Sequence, residues 1–221
     1  MIDLKREGDV FILRMDHGEN RFRAEFIQAW NEALDEVEAA EGAKALVTTG
    51  TGKFYSNGLD LEFAMAQEDF DFPGYLRGVL GVMERVLTFP AYTVCAMNGH
   101  AFGAGAQLAL AHDQRVMRSD RGYWCMPEID LKAPLHPGMT AIIQARLPVQ
   151  VAHEVVVTGT RYGAQQALAV RIVDATASED EVVPKAAALA APYAPKADPV
   201  MQRLKRDMYP QVLAAIRAEM A

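Results

Sequence analysis

Two glycine-bearing turns and one glutamate carry the chemistry that can be read from this chain. "YSNGLD" (55–60) and "HAFGAGAQ" (100–107) each follow an apolar run and precede a helical one. Glycine there lets a backbone approach a ligand with no Cβ in the way. The helix after the second turn aims unpaired N–H groups and its positive dipole end at that ligand. Gly103-Ala104-Gly105 therefore reads as a cradle for negative charge, either a phosphate or a charge that develops during a reaction. Against a dinucleotide phosphate, Leu108 occupies the third glycine position of G-x-G-x-x-G, and no Walker lysine follows. Close helix–sheet packing would explain one such turn, but two of them point to a site.

Glu128 follows Pro127 among the apolar residues Trp124, Met126 and Ile129, a setting that should raise its pKa. By itself a Glu after Pro at a strand end reads as a solvated loop residue; a carboxyl with a raised pKa could also take a proton and give it back. Asp60 suits the N-cap of a helix starting near Leu61, and Glu62 its solvated first turn. His100 and His136 are expected to be hydrogen-bonded structural groups, and Cys125 a buried thiol without a partner base. No His/Cys/Asp/Glu cluster has metal-ligand spacing, so no metal is expected.

These residues need elements to hold them. "DVFILRMD" (9–16) reads as a buried strand, with "IDLKREG" as its hairpin partner. Phe22, Phe26, Trp30, Leu34 and Val37 recur at helical spacing and predict one amphipathic helix. "AKALVTTG" (43–50) and "AYTVCAMNG" (91–99) are short apolar runs of the kind found in buried parallel strands, with a helix over 71–89 between them. Strands are expected at 114–118 and 122–128, then helices broken at Pro148, Gly159, Gly163 and Pro199, with a short strand near "RIVDA". The alternation predicts an α/β core over 1–190 and a helical extension over 191–221, one domain with an appendage bent at "APYAPKADP".

The bulk numbers narrow the class. Half of the 221 residues are apolar (51%) and 23% are charged, which is globular composition with ample material for a core. A net charge of −7 argues against nucleic-acid binding but leaves room for an anionic small molecule held by a few local groups. Two cysteines make no disulfide framework. No apolar signal segment opens the chain, no run approaches a membrane span, and "AEMA" is no peroxisomal or retention signal; a cytoplasmic protein is expected.

Together, "FYSNGLDL", "NGHAFGAGAQLALAHD" and "MPEIDL" resemble the three signature segments of the enoyl-CoA hydratase/isomerase (crotonase) superfamily, in order and spacing, from about residue 9 to residue 175. The resemblance implies an α/β, crotonase-like spiral of ββα units with a helical C-terminal region used in subunit contacts, hence a homotrimer or dimer of trimers. It implies an acyl-CoA thioester as substrate, with coenzyme A as part of the substrate and no separate cofactor. Carried over by position, the backbone N–H groups of Leu59 and Ala104 form an oxyanion hole for the thioester oxygen. Lys53, Phe54, Ser56, Gly58, Gly103 and Trp124 fall where substrate is bound. Ala104 replaces a glycine found in many members, but the donor is the N–H, which alanine keeps.

The resemblance also selects a reaction. Family hydratases hold water with two glutamates; here one of those positions is Gln107 and the other Glu128. An amide can position water or substrate but has no proton to exchange near neutral pH. One carboxylate suffices to take a proton from C2 and return one at C4. The expectation is therefore a Δ3,Δ2-enoyl-CoA isomerase with Glu128 as its base. The alternatives are hydration or thioester hydrolysis helped by Glu62, Asp130 or a histidine, or a non-catalytic acyl-CoA-binding protein. Met65, Met126 and Met139 are candidates to line an acyl channel, and Lys205 and Arg206 to sit on a solvated basic helix face.

Overall fold

Three times along the chain a long apolar strand is followed by a short turn, a shorter strand and a helix. This repetition organises the structure, a computed structural model that describes residues 1–66 and 68–218. Before the first repeat come a hairpin of β1 (Ile2–Glu7) and β2 (Val10–Met15) and helix α1 (Ala24–Ala39). The first repeat is β3 (Ala45–Gly50), β4 (Phe54–Ser56), α2 (Leu61–Met65) and α3 (Phe72–Leu87). The second is β5 (Tyr92–Met97), β6 (His100–Phe102) and α4 (Ala104–Ala111). The third is β7 (Gln114–Arg118), β8 (Trp124–Cys125) and α5 (Glu128–Leu131), continued by α6 (Pro137–Arg146), α7 (Val149–Thr158) and α8 (Ala164–Ala169). Then follow β9 (Ala175–Ala177), α9 (Val182–Ala190), a 3-10 helix (Ala191–Lys196), α10 (Pro199–Met208) and α11 (Pro210–Ile216).

The first strand of each repeat joins a six-stranded sheet of order β1-β2-β3-β5-β7-β9, and the second joins a three-stranded sheet of order β4-β6-β8. Between strands of the described residues, β1 and β2 pair antiparallel and the other strand pairs are parallel; an isolated antiparallel bridge joins Trp124 to Tyr162. This is the ββα spiral expected of the resemblance. The inner strands of the large sheet, β2, β3 and β5, are buried on both faces, as parallel strands require, while the edge strand β1 is largely exposed. Val10, Ile12, Val47, Val94 and Val116 pack on one side against Val182, Ala186 and Ala190 of α9. Phe11, Leu13, Met15, Leu46, Cys95 and Met97 face the other side, where α1, α3, α4 and the small sheet bury Trp30, Leu80, Leu108 and Trp124. The breaks expected at Pro148, Gly159, Gly163 and Pro199 each fall at a helix end.

Three local expectations are corrected. Phe22 precedes α1, which begins at Ala24, and lies in a parallel β-bridge with Leu59; its apolar ring belongs to the helix stripe, but its backbone is claimed by that bridge. The strand expected over 122–128 is only Trp124–Cys125, because Pro127 supplies no ladder N–H and the chain turns into α5. The short strand expected near "RIVDA" is present as β9, from Ala175 to Ala177. Lys205 is not on a solvated face: it is buried, 2.6 Å from Asp113, and donates to Ala91 O at 3.0 Å, while Arg206 reaches Glu84 at 3.5 Å.

Candidate active site

The three sequence segments singled out above follow the C-terminal ends of β4, β6 and β8, adjacent strands of one parallel sheet. Pairing of Ser56 with Ala101 and of Phe102 with Cys125 sets their exits side by side. Ligands of open α/β sheets gather at such ends. A cavity of about 420 Å³ opens there, touched by Leu59, Gly103, Ala104 and Glu128 and walled by Leu61, Phe72, Leu76, Leu135 and Met139.

Glycines press the first two turns together. Gly58 has φ of +77°, and a Cβ on it would stand 2.7 Å from Phe102 O and 3.0 Å from Ala104 N. A Cβ on Gly105 would strike Ser56 O. Phe22 N–H donates to Gly58 O at 2.8 Å, and Ser56 Oγ donates to Asn20 O at 2.7 Å, so the turn after β4 is clamped from behind. Asp60 N–H donates to Tyr75 Oη at 3.0 Å. Between these bonds, neither Leu59 N–H nor Ala104 N–H has an acceptor among the described residues. Ala104 opens α4, so its N–H also carries the positive end of that helix dipole.

Asp60 caps α2 by accepting from Phe63 N–H at 3.2 Å, and lies 2.6 Å from Arg23 and 3.7 Å from Arg21. Burial alone would raise its pKa, but the bonds from Arg23 and Phe63 and the two guanidinium charges outweigh burial and hold it below the usual value. It is therefore a fixed anion that anchors the turn. At the other end of α4, Thr48 Oγ1 lies 2.9 Å from both Tyr55 Oη and His112 Nε2, and His112 Nδ1 donates to Leu108 O at 2.8 Å. Burial keeps this histidine neutral, with its pKa pulled down to about 3. The chain of bonds ties α4 to β3 and β4.

Glu128 begins α5, with its backbone oxygen accepting from Ala133 N–H at 3.0 Å. Its Oε1 lies 3.3 Å from where a Cβ on Gly103 would stand, and that glycine has φ of +52°. Among the described residues no cation pairs with it, and Oε2 is buried without a partner. Burial pushes its pKa up to about 7, opposed only by a bond to its own backbone. Gln107 lies one helical turn past Gly103 on α4; its side chain is wholly buried, and both amide atoms lack a partner among the described residues.

Of the expected substrate contacts, Gly103 lines the cavity, while Gly58 lies beneath it as the spacer between two turns. Trp124 is not among the residues that line the cavity: it is wholly buried, and its indole N–H donates to Ala106 O at 3.0 Å, bracing α4 from behind. Ser56 is likewise buried and engaged with Asn20 and Gly58. Phe54 packs on His100 and Phe102 outside the cavity, with the exposed Lys53 ammonium 5.2 Å above its ring. In these short strands alternate residues face opposite sides, and sequence spacing alone does not say which side faces the ligand.

His100 accepts from Tyr123 N–H at 3.2 Å, away from the cavity. His136 does line it, yet both ring nitrogens are engaged: Nδ1 accepts from Gly138 N–H and Nε2 donates to Ala218 O, each at 3.0 Å. Glu62 and Asp130 are exposed and off the cavity wall. Cys125 is a buried thiol pushed up to about 11 by burial and donating to Gly159 O. Met139 lines the cavity, Met126 is core, and Met65 is 86% exposed. The apolar wall from α3, Phe72 and Leu76, went unread in the sequence; their four-residue spacing marks a helix face but not what that face meets. Among the described residues, no group of His, Cys, Asp and Glu could hold a metal ion, and no helix is long and apolar enough to cross a membrane.

Comparison with known proteins agrees with this fold. The family model described as enoyl-CoA hydratase/isomerase matches residues 5–220. The peroxisomal enoyl-CoA delta isomerase 2 of Arabidopsis thaliana is 31% identical over 99% of this chain and 96% of its own. A putative enoyl-CoA hydratase of Thermus thermophilus is 31% identical over 91% of this chain and 81% of its own. The apo structure of an enoyl-CoA isomerase from Mycobacterium tuberculosis superposes with a TM-score of 0.88 at 26% identity, covering 98% of this chain and 94% of that one.

Proposed function

We propose that this chain, which belongs to the enoyl-CoA hydratase/isomerase family, moves the double bond of an enoyl-CoA from C3–C4 to C2–C3. The observation that carries the reading is a single carboxyl on the cavity wall, Glu128, whose Oε2 is buried without a partner, while the position of the family's other glutamate holds the amide of Gln107. The thioester oxygen takes the N–H groups of Leu59 and Ala104. Glu128, as carboxylate, removes a C2 proton, and the charge spreads over a dienolate whose oxygen those N–H groups hold. The same carboxyl then delivers a proton to C4. Each oxyanion donor supplies about 3 kcal/mol to the step. A pKa near 7 leaves both protonation states of Glu128 available near neutral pH, which suits a group that must work as base and then acid.

Lys53, exposed beside Phe54, is assigned to the part of coenzyme A that lies outside the cavity. Assembly as a homotrimer belongs to the same reading. The apolar groove between α6 and α7, where Val149 is 87% exposed, supports self-association.

Hydration is the second reading, favoured by the unpartnered Gln107 amide, which can hold a water, and by hydratase names among the relatives. Purified protein given 3-hexenoyl-CoA and, separately, 2-hexenoyl-CoA separates the two. The isomerase reading expects 2-hexenoyl-CoA from the first and little 3-hydroxy product from the second. Fast hydration of the second substrate would replace it with the hydratase reading.

A further inference from the structure

A second cavity of about 470 Å³ adjoins the one that holds Glu128, and Phe72, Leu76 and His136 touch both. Phe72 and Leu76 are one turn apart on α3, and His136 is the N-cap of α6, so the partition lies where two helices meet. The partition is apolar in effect: His136 uses both ring nitrogens on Gly138 and Ala218 and leaves its carbons for whatever passes.

The far cavity has a different rim. Among the described residues, its charged lining groups are Arg77 and Arg217. Among the described residues Arg77 has no ion-pair partner, and Arg217 lies 2.7 Å from Glu84, which Arg206 also approaches at 3.5 Å. Among the described residues one carboxylate, Glu84, serves two guanidiniums, so they leave an excess of positive charge at this rim. A methyl-ended chain emerging beside these groups gains nothing from them, whereas a carboxylate finds the planar donors that match it.

We propose that the site takes long-chain enoyl thioesters whose far end is a carboxylate: the chain passes from Glu128 between Phe72, Leu76 and His136, and its terminal anion meets Arg77 and Arg217. This rests on the isomerase reading for the thioester head alone.

The test measures binding and turnover together. Titration calorimetry compares saturated twelve-carbon acyl-CoA with its ω-carboxy counterpart, and kinetics compares the two matching 3-enoyl thioesters. The wild type is expected to favour the ω-carboxy ligand about five- to tenfold in both Kd and kcat/KM, less so at high salt. In Arg77→Ala/Arg217→Ala, two exposed changes, that ratio falls to about one. Equal affinity of the wild type for both ligands, or a preference that survives the double substitution, overturns the proposal. Binding separates its fate from that of the isomerase reading: if 3-hexenoyl-CoA is not turned over, the reaction is wrong, while an ω-carboxy preference in Kd that depends on the two arginines still upholds the tail site.

Discussion

The carboxyl of Glu128 occupies the space that a side chain on Gly103 would need: a Cβ there would lie 3.3 Å from Oε1, on a backbone with φ of +52°. The two are neighbours because β6 and β8 pair in register through Phe102 and Cys125, the residues just before each turn. Substituting Gly103 by Ala is expected to cost about 1–3 kcal/mol of stability from the positive φ and to push the carboxyl off its line. Urea unfolding and kcat report the two effects, and kcat should fall at least tenfold.

Gly58 separates the two candidate oxyanion donors. In Gly58→Ala the new methyl would meet Phe102 O and Ala104 N, forcing the Leu59 and Ala104 N–H groups apart. Loss of one donor's alignment corresponds to about 100-fold in kcat. KM for the thioester should change far less, and a change confined to KM would show that these N–H groups bind substrate without favouring the dienolate.

Glu128 trades stability for function. Its folded pKa of about 7 lies above that of an unfolded glutamate, so the folded state binds the proton more tightly. Below the unfolded pKa the group is protonated in both states and costs nothing. As pH rises toward 7 the folded state loses stability, and above 7 the loss is complete. Glu128→Gln should therefore be more stable than the wild type at pH 8, by about 1–3 kcal/mol, with the gain gone near pH 4. Thermal melts across this range check the sign. For the wild type, kcat/KM should rise with pH and level off above about 7, as the base form fills.

Gln107→Glu restores a second carboxylate at the family position. It should gain measurable hydration of 2-hexenoyl-CoA and lose about 2 kcal/mol of stability, because a wholly buried ionisable group without a partner is costly. A variant with no hydratase activity would mean that this amide does not face the reacting carbons.

Much of this was legible in the sequence, for a definite reason. Gly58, Gly103 and Gly105 stand where only a missing Cβ permits the packing, so the turns announce themselves by residue type. The alternation of strands and helices followed from apolar runs bounded by glycine and proline. What stayed hidden depends on contacts distant in the chain. Trp124 and Ser56 belong to the right segments, yet they face away from the cavity. Phe72 and Leu76 become its wall only because α3 lies across from His136. Lys205 reads as a surface charge in the sequence because nothing local reveals Asp113, which lies on the loop between α4 and β7.

The central claim is that Glu128 alone moves the proton. The most direct check is the rate at which Glu128→Gln converts 3-hexenoyl-CoA to 2-hexenoyl-CoA, with its fold verified by the thermal melt. The account predicts a loss of about a thousandfold or more, since the amide can neither take the C2 proton nor return one at C4. A variant that stays folded and works within tenfold of the wild type would contradict it and send the proton to another group.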